Sequence, residues 1–317
     1  MTGVPAEAAW DTAPNLLDGA MHLELTAQDC NLRYWLRAVP DGTLRGRLDG
    51  HAPEVVAPEF MRRPGPLFDA IAREYAFRAV AEEKAARALA YLVPLAPDVD
   101  TMEFYATQVL DEARHAMVFR NHLVTLGVPA GELRTAIDTF AGREIRAILD
   151  PLEEFGLEIM RDRADFLGGV VVMTVILEGA LAPAAELSER KWRPLNPAAA
   201  DIDTGAGIDE IRHLAVGASV ARRYLAEHPE RKTDTLALIR RGMRLWTELP
   251  VHEMVLRREE LFQRGLEQHA KVVGDYEIWP GRRLVDTTPD ERLRTAEGWS
   301  NEMKDIRLRY MGLEEAL

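Results

Sequence analysis

The sequence contains one five-residue motif twice, and each copy places a carboxylate and an imidazole at helical spacing. Residues 111–115 read Asp-Glu-Ala-Arg-His, and residues 209–213 read Asp-Glu-Ile-Arg-His. Because positions i and i+3 lie on one face of an α-helix, the Glu and His of each copy can bind one metal ion together. A single Glu-x-x-His pair is most often a surface ion pair, so it is the repetition that favours metal chemistry. The four predicted ligands are Glu112, His115, Glu210 and His213.

Two metal ions need further anionic ligands, and the regions before the two motif copies offer them. Glu178 is the single charged residue of the apolar stretch 167–185, where an ionised carboxylate is costly without a partner. A buried metal ion is the simplest partner, and a neutral Glu178 or one paired with an arginine is the alternative. Before the first copy, Glu82 and Glu83 are both candidates, since both have alanine-rich neighbours one helical turn away. One of these two is expected to face the core.

Charged residues beside the predicted ligands are suited to orient the histidines. A metal-bound imidazole usually donates its other ring N–H to a carboxylate, which fixes the tautomer. We expect Asp111 and Asp209 to accept these protons, each from the histidine of the opposite helix, and Arg114 and Arg212 to hold the aspartates. Ordinary surface charge is the alternative for all four residues. The carboxylate-rich donor set suits iron or manganese and differs from a closed structural zinc site.

The segments QVLDEARH and GIDEIRH, each preceded by a helix with a glutamate, resemble the ferritin-like superfamily of carboxylate-bridged di-iron oxidases and oxygenases. The resemblance covers about residues 66–227, roughly half of the chain, and it places the first ligand at Glu82. It implies two iron ions, with manganese or a mixed pair as alternatives, and O2 as co-substrate. It also implies an outside electron donor, either a reductase or a ferredoxin.

Three positions depart from the patterns of particular branches of that superfamily. Phe119 stands where ribonucleotide reductase small subunits usually carry a radical tyrosine. Ala206 stands where arylamine N-oxygenases carry an extra histidine, and Ala182 where hydrocarbon monooxygenases often carry threonine. The general likeness is to the di-iron N-oxygenases of azoxy natural-product pathways of the valanimycin type.

The resemblance therefore implies an enzyme, a non-haem di-iron oxygenase that acts on a small metabolite. The preferred reaction is N-oxygenation of an amine, hydroxylamine or hydrazine in natural-product biosynthesis. C-hydroxylation or desaturation at the same centre is one alternative, and non-catalytic iron binding by a ferritin-like protein is another.

The predicted elements that position these residues are helices. Helical patterns begin near residue 65 and are bounded by proline, glycine and capping residues. They predict an all-α fold in which a single ferritin-like helical domain over 61–317 contains a four-helix bundle core and additional C-terminal helices. Residues 1–60 are predicted to form an irregular segment, where Asp41-Gly42 and Asp49-Gly50 favour a short hairpin. The predicted helices cover 66–94, 100–127, 130–148, 151–192, 199–227 and parts of 231–272 and 289–317.

The composition excludes several other classes of protein. With 39 basic and 52 acidic residues among 317, the net charge of −13 argues against a nucleic-acid or anionic-membrane binder. A lone cysteine, Cys30, excludes a disulfide framework and a cysteine-ligated cluster.

The sequence also carries expectations about location and association. Residues 1–18 lack a leader pattern, so a cytoplasmic location is expected. The charge of Glu178 argues against membrane insertion of 167–185. The additional C-terminal helices suit substrate enclosure or a homodimer. His122 is expected at an exposed position, with a role near the metal as the alternative.

Overall fold

The computed structural model describes residues 5–317, of which most are helical: 76% of the residues are in helices and 2% in strands. The predicted all-α class is therefore confirmed. The α-helices are α1 (Leu32–Val39), α2 (Pro66–Leu89), α3 (Val99–Thr125), α4 (Leu133–Glu144), α5 (Asp150–Leu157), α6 (Phe166–Val171), α7 (Glu178–Trp192), α8 (Pro197–Glu227), α9 (Lys232–Glu248), α10 (Val251–Gln268), α11 (Ala270–Val273) and α12 (Pro289–Tyr310). Short π-helical segments cover Pro40–Leu44, Ile145–Leu149, Glu158–Asp162 and Val172–Leu177. Short 3₁₀ turns cover Ala6–Ala8, Leu16–Asp18, Ala20–His22, Glu59–Arg62, Ala130–Glu132, Pro229–Arg231, Leu284–Asp286 and Glu314–Ala316.

The two helices that carry the repeated motif begin and end at local sequence signals. The Asp98 side chain accepts a hydrogen bond from the Thr101 amide at the start of α3, and Gly127 closes its other end with a φ of 107°. The Asn196 side chain accepts from the Ala199 amide at the start of α8. These caps satisfy amides and carbonyls that a helix end leaves unpaired. Because capping residues are visible in the sequence, the predicted boundaries of these two helices differ from the observed ones by only a few residues.

The long helices pack as two pairs that meet at the centre of the molecule. Helix α2 packs along α3, α7 packs along α8, and α3 contacts α8. Helices α10 and α12 cover the outer sides of α2 and α7, respectively. The apolar core follows these contacts: Trp192 of α7 is fully buried, with its ring centroid 5.1 Å from that of Phe262 in α10. Edge-to-face pairs of this kind add about 0.5–1.5 kcal/mol to the gain from burial.

A buried chain of ion pairs ties the C-terminal helices to the core. Lys191 of α7 donates to Glu74 of α2 at 3.0 Å and to Glu259 of α10 at 2.7 Å. Arg292 of α12 donates to the same Glu259. All four side chains are nearly inaccessible to water, so each charge depends on its partners for compensation.

The apolar stretch around Glu178 belongs to one continuous helical run, formed by α6, the π segment Val172–Leu177 and α7. The run Phe166–Trp192 is long and apolar enough to cross a membrane, but 83% of its most apolar window is buried inside the protein. This burial is typical of the core helix of a soluble protein. Within the π segment, Thr174 packs directly on Gly217 of α8, where a Cβ atom would overlap the threonine hydroxyl. The glycine therefore permits the close approach of the two helices.

The hairpin predicted near residues 41–50 is wrong. The chain continues from α1 into the π-helical turn Pro40–Leu44, because Thr43 donates to the Ala8 carbonyl and the Trp10 amide donates to the Gly42 carbonyl. The Asp-Gly pairs thus mark turns without flanking strands. Within residues 5–317 the strands are β1 (Glu277–Trp279) and β2 (Arg282–Arg283), which form one short antiparallel pair.

The N-terminal segment is also less irregular than predicted, because it contains α1, capped by Asn31. Residues 1–4 of that predicted segment lie outside the described residues.

The predicted exposure of His122 is wrong as well: its side chain is buried between α3 and the start of α8. Asn196 donates from Nδ2 to His122 Nε2 at 3.0 Å, while its Oδ1 caps α8. The histidine nitrogen must therefore accept, which requires a neutral ring. Burial lowers the pKa of His122 to about 3.

This neutral histidine predicts a loss of stability in mild acid. Below its ordinary pKa of about 6.5 the unfolded chain binds a proton that the folded protein does not take up until about pH 3, so the free energy of unfolding falls as the pH falls through this interval. Between pH 7 and pH 4.5, we expect the free energy of unfolding of His122→Gln to fall by about 2–3 kcal/mol less than that of the wild type. Urea unfolding at each pH measures both values. His228→Gln, at a histidine whose side chain is 45% exposed, is the control. Parallel pH profiles for wild type and His122→Gln would contradict the assignment.

Candidate metal centre

Six carboxylate and imidazole side chains from four helices converge where the two helix pairs meet. They are Glu82 of α2, Glu112 and His115 of α3, Glu178 of α7, and Glu210 and His213 of α8. Their ligand atoms form two groups, and within each group all of these atoms lie within 4.8 Å of one another. One group is Glu82, Glu112, His115 and Glu210, and the other is Glu112, Glu178, Glu210 and His213. Because Glu112 and Glu210 belong to both groups, the arrangement has the form of two adjacent sites with shared carboxylates.

The choice between Glu82 and Glu83, which the local sequence leaves open, is clear in the structure. The Glu82 carboxylate lies 3.8 Å from His115 Nδ1, and its side chain is only 14% exposed. The Glu83 side chain is 47% exposed and pairs with Arg87 on the surface of α2 at 2.8 Å. Glu82 therefore belongs to the cluster, and Glu83 does not.

The two histidines present an unpartnered nitrogen to the carboxylates. His115 Nε2 lies 3.1 Å from Asp209 Oδ2, and His213 Nε2 lies 3.2 Å from Asp111 Oδ2. These aspartates accept the Nε2 protons, so each Nδ1 atom has a free lone pair when its ring is neutral, as a metal ligand requires. Both Nδ1 atoms are buried without a hydrogen-bond partner, 3.5 Å (His115) and 3.1 Å (His213) from oxygens of Glu112. A buried nitrogen that faces carboxylates has no hydrogen-bond donor near it, and a bound cation would satisfy it. Both Nδ1 atoms therefore fit the role of metal ligands.

The aspartates that hold the histidines are themselves fixed by arginines across the helix pair. Arg212 donates to Asp111 at 2.7 Å and lies 2.7 Å from Asp209 Oδ1, while Arg114 donates to Asp209. Burial by itself raises the pKa of Asp209, but the guanidinium groups of Arg212 and Arg114 outweigh it and hold that pKa well below its usual range. The aspartate thus stays ionised and accepts the Nε2 proton of His115.

The carboxylates of the cluster cannot all stay ionised without added positive charge. Burial, together with repulsion from neighbouring carboxylates, raises the pKa values of Glu112, Glu178 and Glu210 well above the ordinary range. Burial also acts to raise the pKa of Glu82, but the adjacent His115 imidazole outweighs it and lowers that pKa overall. Bound divalent cations would favour the ionised carboxylates and so lower these raised pKa values. Oxygen donors with two imidazoles suit iron or manganese, so the residues fit the predicted metals.

Two further side chains support the cluster, and both lie far from their partners in the sequence. Gln108 donates to Glu178 Oε1 at 2.7 Å, which leaves the buried Oε2 atom without a partner. Trp35 of α1 donates from Nε1 to Asp111 Oδ1 at 3.0 Å. Gln108 lies one helical turn before Glu112, a position that sequence analysis can mark. Nothing in the sequence links Trp35 to Asp111.

A cavity of about 170 Å³ adjoins the cluster between α7 and α8, under residues 10–16 of the N-terminal segment. Its wall includes Glu210 from the cluster and Ala182, which lies one helical turn after Glu178. Glu112 is 1% exposed and the two histidines are 0–1% exposed, whereas the Glu82 side chain at the edge of the cluster is 14% exposed. The cluster is thus shielded from bulk water and borders a space of small-molecule size.

Comparison with known proteins adds no relative: no protein-family model matches the chain, and no curated protein matches it significantly.

Proposed function

We propose that this protein is a non-haem di-iron oxidoreductase whose α2, α3, α7 and α8 form a ferritin-like four-helix bundle core. The observation that carries the proposal is the pair of buried, unpartnered Nδ1 atoms of His115 and His213, which face carboxylates shared between two ligand groups. A solvated ion pair on a helix surface would not leave such atoms buried. Each unpaired buried polar group costs about 1–3 kcal/mol of stability. A metal ion bound to each nitrogen would remove that cost.

The residues divide naturally between two ions. Glu82, Glu112 and His115 would hold one ion, and Glu178, Glu210 and His213 would hold the other, with Glu112 and Glu210 shared. Iron is the proposed metal, and manganese or a mixed pair would use the same donors. Two iron ions held there would supply the electrons that activate O2 for oxidation of the substrate.

The surrounding side chains have roles that follow from their contacts. Asp111 and Asp209 keep the histidine protons on Nε2, so that both Nδ1 atoms stay free for metal. Gln108 fixes the rotamer of Glu178 through its hydrogen bond. The apolar packing around α6 and the π segment Val172–Leu177 excludes water from the centre.

N-oxygenation of a small amine, hydroxylamine or hydrazine is the proposed reaction. It is supported by the sequence resemblance to di-iron N-oxygenases and by the small volume of the adjoining cavity. The catalytic cycle would draw electrons from a reductase or a ferredoxin. A cytoplasmic homodimer is the proposed form of the protein.

Metal reconstitution tests the central claim. After anaerobic incubation with Fe(II) and removal of excess metal, we expect about two iron ions per chain, with O2 uptake when air is admitted. Less than about one iron or manganese ion per chain would exclude the proposal.

Product analysis then separates the reactions open to the same centre. With O2, a reductant and candidate amines, hydroxylamines or hydrazines, mass spectrometry should find one oxygen atom added at nitrogen. Oxygen added at carbon would identify a C-hydroxylase, and loss of two hydrogen atoms a desaturase. Bound iron without turnover of any of these substrates would favour an iron-binding protein.

A further inference from the structure

We infer that Asp203 of α8 is a buried carboxylic acid that donates a proton to chemistry in the cavity beside the metal centre. The donor role rests on the proposed function, because the reduction of O2 consumes protons, whereas the protonation of Asp203 follows from its hydrogen bonds. Asp203 lines the cavity wall two helical turns before Glu210, which is about 10 Å along the helix axis. Its side chain is 0% exposed, so a proton on it is held apart from bulk water.

The hydroxyl group of Ser188 on α7 lies between two carboxyl groups. Its Oγ atom is 2.8 Å from Asp203 Oδ2 and is also within hydrogen-bond distance of Glu74 Oε1 on α2. A serine hydroxyl has one hydrogen, so it can donate to only one of these oxygens. If both carboxyl groups were ionised, the other oxygen would face Oγ with no hydrogen between them, in a site closed to water. One of the two carboxyl groups therefore carries a proton and donates it to Oγ.

Glu74 is the carboxyl group that stays ionised. Its Oε2 atom accepts from Lys191 at 3.0 Å and from the Trp192 indole at 3.3 Å. Burial acts to raise the pKa of Glu74, but the positive charges of Lys191 and Arg258 outweigh it and hold that pKa at about 2. The proton therefore resides on Asp203.

The surroundings of Asp203 favour its neutral form. Burial raises the pKa of Asp203 to about 7, with the Arg78 guanidinium acting against this change and the charges of Glu74 and Glu189 adding to it. The described N-terminal residues of the cavity wall contribute no ionisable group. The titratable and charged groups around Asp203 are Glu74, Tyr75 and Arg78 from α2 and Glu189 from α7, with Glu186 of α7 on the same cavity wall.

The hydrogen bond from Arg78 is compatible with a neutral Asp203. Arg78 donates to Oδ1, which can accept as the carbonyl oxygen of a protonated carboxyl group. Oδ2 then donates to Ser188 and Ser188 donates to Glu74, so every hydrogen in the chain has one acceptor. Arg78 also interacts electrostatically with Glu82, so its charge keeps an ionised partner when Asp203 is neutral.

Proton transfer from Asp203 leaves a carboxylate that the same neighbours stabilise. The Oδ2–H bond breaks, and the proton bonds to a basic oxygen or nitrogen atom in the cavity. The Ser188 hydroxyl can then turn from Glu74 to Asp203, because Lys191 still donates to Glu74. A proton from solvent restores the neutral acid when the cavity opens to water.

Carbon-13 NMR tests the protonation. The full-length protein, labelled with ¹³C at the side-chain carboxyl carbon of aspartate, is titrated with and without Zn(II) from about pH 5.5 to about pH 8.5. We expect one carboxyl resonance to shift with a midpoint near pH 7 and to be missing in Asp203→Asn. Asp201→Asn, the same change in an aspartate that pairs with Arg193, is the matched control and should keep this resonance. Glu74→Gln should move the midpoint down by about one pH unit or more, because it removes a negative charge and frees the Ser188 hydroxyl for Asp203.

The rate of O2 consumption tests the donor role. Protein loaded with Fe(II) is mixed with O2 without an organic substrate, and an oxygen electrode follows the reaction. O2 reduced by Fe(II) ends as hydrogen peroxide or water, and either product takes up protons. We expect the wild-type rate to fall as the pH rises through about 7, and Asp203→Asn to react about tenfold or more slowly without this pH dependence. Asp201→Asn should behave as the wild type.

Each outcome decides the inference. The absence of a resonance that titrates near pH 7, or its persistence in Asp203→Asn, would overturn the assigned protonation. Equal O2 consumption by wild type and Asp203→Asn would overturn the donor role. Iron content judges the proposed function separately: two bound irons without a titrating Asp203 would leave the proposed function standing. In a protein that holds no iron, the proposed function and the donor role would fail together, while a midpoint near pH 7 would still establish the buried acid.

Discussion

Glu112→Leu is expected to abolish metal binding at both sites while the protein stays folded. Glu112 belongs to both ligand groups, and its two oxygens are the nearest carboxylate neighbours of the two orphaned Nδ1 atoms. Loss of a ligand that directly contacts metal should cost more than the 10–100-fold that loss of an outer partner typically costs, so we expect at least about 100-fold weaker metal affinity. Mass spectrometric metal analysis after reconstitution measures this loss.

The same variant distinguishes a metal ligand from a merely structural glutamate. In the metal-free protein Glu112 is buried among repelling carboxylates, so leucine of similar size should leave thermal stability equal or higher. Added metal should raise the melting temperature of the wild type but not that of the variant. Glu83→Leu, an identical change at the exposed neighbour of Glu82, is the control and should keep the metal. Full metal occupancy in Glu112→Leu would remove Glu112 from the ligand set.

Arg212→Met is expected to be the most destabilising single change around the centre, by about 3–5 kcal/mol. Arg212 is 2% exposed and lies 2.7 Å from a carboxylate oxygen of Asp111 and 2.7 Å from one of Asp209. Its loss leaves two fully buried carboxylates with less positive charge than they need. The free energy of unfolding by urea, measured on metal-free protein, gives the size of the effect.

A surface arginine provides the comparison for that change. Arg87→Met removes a guanidinium with a 71% exposed side chain and one helical ion pair, so the expected loss is below about 0.5 kcal/mol. Metal affinity should also fall about 10–100-fold in Arg212→Met, because the aspartates would hold the histidine tautomers less firmly. Equal unfolding energies for the two variants would contradict the role assigned to Arg212.

The parts of the centre that sequence analysis could predict are those set by helical spacing. The repeated Asp-Glu-x-Arg-His places its Glu and His on one helix face without knowledge of the fold. The isolated charge of Glu178 within an apolar stretch marks it as buried and in need of a partner. Both signals are local, which is why they are readable from the chain alone.

The parts that could not be predicted depend on contacts between distant segments. Glu82 and Glu83 have equivalent alanine-rich surroundings in the sequence, so the family resemblance alone selected Glu82, and the packing of α2 on α3 gives the physical reason. Trp35 reaches Asp111 across a long sequence separation. Lys191 is a surface charge by composition alone, yet it is buried between two glutamates from other helices.

The predicted hairpin and the predicted exposure of His122 were wrong because both also depend on contacts between distant segments. Asp41-Gly42 does form a turn, but its neighbours follow helical geometry because they pack against residues near the N terminus. His122 has ordinary polar surroundings in the sequence and is buried through its contacts with Asn196 and Tyr75. The π segment before Glu178 also has no sequence signature in this chain.

The length of that π segment determines the direction in which the residues of α7 face. A helical run carries its residues at about 100° per position, so one residue more or fewer within Val172–Leu177 would rotate α7 by that angle relative to α6. Glu178 lies on the same face of α7 as the cavity residues Ala182, Glu186 and Glu189. A one-residue deletion there would therefore turn the proposed metal ligand Glu178 and one wall of the cavity away together. The chain should tolerate substitutions in this segment far better than changes in its length.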